Sequence, residues 1–242
     1  APVVDASASI GGRPGRIKLT TVAADRCMCY LSSLSFEQST EPDNDRGADT
    51  RTAPTMNREE RPMTVKQIDT GTQDLLASLE EGVLTLTMNR PEARNAMSRE
   101  MNEALAQQLA WAELDPEVKC IVLTGAGKAF CAGGDVKGMA ARGDGTVGEL
   151  TIDAAIHRQR VNQRATAGKL FKMPKPTIAA LPGPAAGAGF SLALACDLRI
   201  MASTAFMTTA FARVGFSGDY GGTYFLTQLV GAAKARELYF LS

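Results

Sequence analysis

Apolar residues are sparse up to about residue 70 and recur in strings from Leu75 to the end of the chain. Ser, Thr, Pro, Arg, Asp and Gly dominate the first stretch, and only Cys29-Tyr30-Leu31 through Phe36 carries apolar weight. A segment with so little to bury cannot offset the entropy lost on ordering it. Residues 1–71 are therefore expected to be a low-complexity, poorly ordered N-terminal extension, with the folded domain covering 72–242.

Beyond that boundary the periodicity changes from segment to segment. VLTLTM (83–88) alternates and is rich in β-branched residues, and the NRP after it ends the strand, because the residue before a proline is pushed out of the helical region. Ser98 is placed to cap a helix with Glu100 in its first turn, and Met101, Leu105, Leu109 and Ala112 carry an apolar face until Asp115-Pro116 stops it. KCIVLTG (119–125) reads as a strand, 149–171 as a helix, PTIAAL (176–181) as a strand and GAGFSLALAC (187–196) as a helix. DLRIMA reads as a further strand, followed by two short helices over 223–230 and 232–241. Strand and helix in repeated alternation imply parallel strands joined by right-handed crossovers with helices packed on the sheet, an α/β fold.

Composition narrows the function. With 45% hydrophobic residues the chain can bury a core, and 26 basic residues balance 26 acidic ones, so charge favours neither nucleic acid nor an anionic membrane surface as partner. No run approaches the roughly 20 apolar residues of a membrane helix, and the N-terminus lacks a compact apolar segment with a cleavage site. Cys27, Cys29, Cys120, Cys131 and Cys196 are odd in number and scattered, which fits a reducing cytoplasm better than a disulfide framework. Cys27-Met28-Cys29 has no second ligand pair at zinc spacing, and no metal site is expected. The remaining default is a compact small-molecule ligand.

Two glycine-rich segments offer backbone donors to such a ligand. GKAFCAGGDVKGM (127–139) follows a buried strand, and Ala132, Gly133 and Gly134 are small enough to let a ligand approach the main chain. KPTIAALPGPAAGAGFSLALACD (175–197) runs from a strand into a helix that begins with Gly187, Ala188 and Gly189, where unpaired N–H groups and the positive end of the helix dipole favour developing negative charge. One donor from each loop makes an oxyanion hole.

The order and spacing of these loops resemble the crotonase family, also called the enoyl-CoA hydratase/isomerase family. NRPEARNAMS, LTGAGKAFCAGGDVKGM, KPTIAALPGPAAGAGFSLALACDLRIMA and GDYGGTYFLTQLVGAAKARELY each look like a family block, in the family's order, from about Leu79 to Ser242. The resemblance implies a spiral of repeated β-β-α units and an enzyme acting on acyl-coenzyme A, with no metal or cofactor beyond the coenzyme A of the substrate. It implies that Gly134 and Ala188 supply the oxyanion N–H groups, that Gly134, Asp135, Val136 and Lys137 border the thioester and pantetheine, and that Glu92 to Ala96, with Arg94 and Ala96, lie along the nucleotide. A homotrimer or hexamer is the family's usual assembly. The two glutamates that family hydratases use fall at Ser191 and near Phe211 or Ala212, none of them a carboxylate. Asp219, in GFSGDYGGT, stands at a third position that some family isomerases and a dehalogenase use, and buried against Phe216 and Tyr220 its pKa would rise. Its competing reading is an aspartate turn that caps the following helix. Double-bond isomerisation is the favoured activity, with enoyl-CoA hydration and acyl-CoA binding without turnover as alternatives. The relatives continue past this chain's last residue with a helical cover, so the chain is expected to lack that region.

Other motifs fall short. Ser191 in GFSLA has Ala193 where a nucleophile elbow needs glycine, the dinucleotide fingerprint would need glycine at Leu192, and GAGK (125–128) lacks P-loop spacing. Cys131 reads as a small apolar wall residue, His157 as part of a solvated helix face beside Arg158 and Arg160, and Trp111 as packing.

Overall fold

The computed structural model describes residues 3–10, 13–20, 65–135 and 151–242. The chain divides into two compact units, 1–61 and 62–242. In the first, strands β1 (Val3–Ile10) and β2 (Arg13–Thr20) pair antiparallel as a hairpin, for which the composition of that segment holds no strand signal.

The second unit is built on a six-stranded sheet. Its strands are β3 (Lys66–Ile68), β4 (Leu75–Glu80), β5 (Val83–Met88), β6 (Cys120–Gly125), β7 (Thr177–Leu181) and β9 (Leu198–Met201), hydrogen-bonded in that order, with β8 (Ala185–Ala186) outside it. β3, β4 and β5 are antiparallel, and β5, β6, β7 and β9 are parallel, so the α/β class with a mostly parallel sheet holds. Helices α1 (Arg99–Leu114), α2 (Ile152–Ala165), α3 (Ala167–Phe171), α4 (Ala188–Ala195) and α5 (Gly222–Phe240) complete the unit. A second, shorter layer runs beside the sheet: β8 pairs parallel with β10 (Met207–Thr208), while single parallel bridges join Met97 to Gly134 and Cys131 to Ala185. Strand, short second strand and helix thus repeat as β7, β8, α4 and again as β9, β10, α5.

Burial explains the elements. In β4 and β5 alternate residues are buried, and Leu75, Leu84, Leu86 and Met88 are fully so, since one face of this antiparallel pair meets the core. Ser98 caps α1 by accepting from the Met101 N–H at 3.0 Å, and Met101, Leu105, Leu109 and Ala112 are its buried face. The helix expected over 149–171 is interrupted at Thr166, whose backbone leaves helical angles (φ −109°, ψ −90°), giving α2 and α3 in place of one rod; residues 149 and 150 lie outside the described residues. The two expected C-terminal helices are present and follow one another within α5, separated at Gly231, which takes non-helical angles (φ 78°, ψ 161°). Among the described residues no helix is long and apolar enough to cross a membrane.

Candidate functional site

The site lies where the second layer meets the start of α4. Two glycines set that contact. A Cβ on Gly133, at φ 99°, would stand 3.0 Å from the Ala186 carbonyl oxygen and 3.4 Å from the Ala188 nitrogen, and a Cβ on Gly189 would run into the Cys131 carbonyl. The loop after β6 can therefore lie directly against the first turn of α4 only with glycine at both places. Further main-chain bonds lock it: Ala186 N–H donates to Cys131 O at 2.9 Å, Met97 N–H to Gly133 O at 2.8 Å and Ala132 N–H to Arg94 O at 3.0 Å.

The Gly134 N–H has no partner among the described residues, and the Ala188 N–H, in the first turn of α4, precedes the first intrahelical bond, Ser191 N–H to Gly187 O at 3.0 Å. The two donors are thus brought to adjoining stretches of main chain. Cys131, fully buried beneath them, has its thiol pushed up to about 12 by burial and stays a neutral wall residue.

Arg94, Ala96, Ala132, Gly134 and Asp135 come together around the same bonds, while Val136 and Lys137 lie outside the described residues. Arg94 and Ala132 are exposed, and Ala96, Gly134 and Asp135 are half-buried. Arg90, not singled out in the sequence, and Asn95, within the stretch expected along the nucleotide, organise this cluster. Arg90 donates through Nη1 to Ala96 O at 2.7 Å and to Asp135 Oδ2 at 3.2 Å, and its Nε lies 3.6 Å from Asp74 Oδ2. Asn95, fully buried at φ 58°, donates to the Ala126 and Ala129 carbonyls at 2.9 and 2.8 Å and accepts from the Arg90 N–H at 2.9 Å.

On the other side of the donors, Ser191 is fully buried and its hydroxyl is held between main-chain carbonyls, Asp219 O at 3.0 Å and Gly187 O at 3.3 Å. Phe211 is buried, with its ring 3.7 Å from where a Cβ on Gly187 would be, and it stacks on Tyr239 at 6.1 Å between centroids. Asp219 follows Gly218 in the turn before α5. Burial pushes its carboxyl up to about 6, and its Oδ1 is buried with no partner among the described residues. The aspartate-turn reading fails in detail: α5 is capped by Gly221 with no side-chain bond, and it is the Asp219 main-chain oxygen that accepts from Gly222 N–H at 3.0 Å. Phe216 is 60% exposed and does not bury Asp219; Tyr220 is buried beside it and donates to Asn102 Oδ1 at 3.1 Å. A cavity of about 490 Å³ lined by His157, Arg160, Arg164, Tyr220 and Phe225 opens on one side of this turn, and another of about 460 Å³ lined by Phe216, Thr223, Arg236 and Tyr239 on the other.

Residues 78–242 match the enoyl-CoA hydratase/isomerase family. The chain is 40% identical over 167 residues to a 1,2-epoxyphenylacetyl-CoA isomerase of Escherichia coli, covering 69% of this chain and 62% of the relative. It is 37% identical over 161 residues to a mevalonyl-coenzyme A hydratase of Beauveria bassiana, covering 66% of this chain and 56% of the relative. The crystal structure of an enoyl-CoA hydratase from Polaromonas superposes with a TM-score of 0.61 at 36% identity, over 68% of this chain and 62% of that one. The chain therefore spans about three fifths of the length of these relatives.

Proposed function

The chain belongs to the enoyl-CoA hydratase/isomerase family, and on that premise we propose that it binds an acyl-coenzyme A thioester, holds the thioester oxygen between the Gly134 and Ala188 N–H groups, and shifts a double bond with Asp219 as acid and base. The observation that carries this reading is Asp219 itself: a carboxyl pushed up to about 6 by burial, with one oxygen unpartnered, beside the α4 turn that supplies the Ala188 N–H. In a 3-enoyl-CoA, ionised Asp219 takes a proton from C2, the charge moves to the thioester oxygen, and the carboxylic acid so formed returns the proton at C4 to leave the 2-enoyl thioester. Each prearranged N–H donor stabilises the enolate-like transition state by about 3 kcal/mol. Arg94, Ala96, Ala132, Asp135, Val136 and Lys137 are proposed to border the coenzyme A moiety. Proton transfer of this kind needs no metal or redox cofactor, since coenzyme A arrives with the substrate.

Hydration is the second reading, favoured by relatives named as hydratases. It needs groups that activate water, and the positions where the family carries its two glutamates hold a serine whose hydroxyl is engaged by main-chain carbonyls and, near Phe211 or Ala212, no carboxylate. An acyl-CoA binder without turnover is the third. Three described cysteines are free thiols, which supports a reducing compartment such as the cytoplasm, and a trimer or hexamer is the proposed assembly. The deciding experiment incubates the full chain with acyl-CoA in deuterated water and follows the α-proton by NMR. Exchange is expected, and binding without exchange would favour the binder.

A further inference from the structure

Tyr239, near the end of α5, reaches back to the turn that precedes the same helix and carries Asp219. Tyr239 Oη stands 3.0 Å from the point a Cβ on Gly222 would occupy and 3.4 Å from the corresponding point on Gly218, while Ser191 Oγ lies against the same face of Gly222. Ser191 Oγ has its bonds to main-chain carbonyls. Tyr239 Oη and Asp219 Oδ1 are each buried with no partner among the described residues. A phenol donates and a carboxylate accepts, so a buried unpaired donor and a buried unpaired acceptor on adjoining residues can each relieve the other. The ring of Tyr239 is held in place for this, stacked on Phe211 with an interplanar angle of 3°. Glycine at 218 and 222 leaves the room the hydroxyl occupies.

We infer that Tyr239 is a positioning residue, whose hydroxyl donates to the Asp219 carboxylate after a small rotation of the aspartate side chain and so aims and stabilises the ionised base. The inference rests on the reading of Asp219 as the acid and base. Among the described residues, the groups facing Asp219 are Ser191 from α4, which does not titrate, Tyr220 from its own turn, whose hydroxyl is taken by Asn102, and Tyr239 from α5. No charged side chain contributes to raising its pKa; burial alone does so. Tyr239, pushed up to about 12, and Tyr220, pushed higher, are neutral at every pH at which the enzyme would work. A neutral donor favours the ionised carboxylate and holds its pKa below what burial alone would impose.

Tyr239→Phe keeps the ring and its stacking and removes only the hydroxyl. In full-chain protein labelled with ¹³C at the aspartate carboxyls, with the Asp219 resonance identified by its loss in Asp219→Asn, the Asp219 midpoint is expected to rise by about 0.5 to 1 pH unit in Tyr239→Phe. The α-proton exchange rate at saturating acyl-CoA is expected to fall about tenfold with KM little changed. Site-specific replacement of Tyr239 by 3-fluorotyrosine, a stronger donor of nearly the same shape, is expected to move the midpoint down. A midpoint unmoved in both variants, in a chain that exchanges protons and loses exchange in Asp219→Asn, overturns this inference alone. A wild-type chain that binds acyl-CoA and exchanges nothing overturns the assignment of Asp219 and the inference with it.

Discussion

Asp219 is where folding and proposed chemistry pull against each other. Its carboxyl titrates near 6 in the native state against 3.8 when unperturbed. The native protein therefore holds a proton that the unfolded chain has released between these values, and stability falls as pH rises through that window, then stays level above it. Asp219→Asn removes the charge that burial penalises. Calorimetry is expected to show the variant more stable than the wild type above pH 6, by ~1 kcal/mol once partial solvent exposure is allowed for, and no different below pH 4. Its α-proton exchange is expected to drop by about a hundredfold or more, and wild-type exchange to rise with pH to half-maximum near 6 as the base ionises. Asn95 behaves in the opposite way. Its fully buried amide satisfies two carbonyls and one N–H, so Asn95→Ala leaves three main-chain groups unpaired and is expected to lower stability by about 2 to 4 kcal/mol in denaturant titrations.

Elements meet at the site through close approach of main chain to main chain. Gly133→Ala puts a methyl 3.0 Å from Ala186 O at a φ of 99°, which an L-residue adopts at a cost of about 1 to 3 kcal/mol. The expected outcome is a folded protein, by circular dichroism, with the loop displaced from α4 and acyl-CoA binding weakened at least tenfold in calorimetric titration. The strands β5, β6 and β7 and the helix α4 were legible because each is a contiguous apolar or alternating run long enough to read on its own. The antiparallel partner β4, LLASLE, was not, since its burial alternates through Ala77 and two residues of mixed character. β8 and β10 are two residues each and exist only because tertiary contacts pair them, so no local pattern announces them. The glycine loops pointed to the proposed donors, but that Phe216 is exposed and that Tyr239 reaches back to Gly218 and Gly222 are properties of the assembled structure.

Taken whole, the second unit carries large apolar side chains in solvent: Phe240 and Leu114 at 81%, Leu241 at 75%, Phe206 at 56% and Tyr224 at 55% exposure. For the proposed assembly, a second copy of the chain is the partner we propose for this surface. Sedimentation at about 10 µM is expected to give a mass well above the 25.6 kDa of one chain, and Phe240→Asp to shift it toward the monomer. Every residue of α4 is buried, and 26 residues separate its end at Ala195 from the start, at Gly222, of the helix that packs over it, α5. A growing chain carries α4, the most apolar of the described helices, before its covering helix has been made. For that interval, on the order of seconds at ordinary elongation rates, the nascent chain presents a bare apolar rod, and its yield in a cell is set by how well chaperones shield it until α5 arrives.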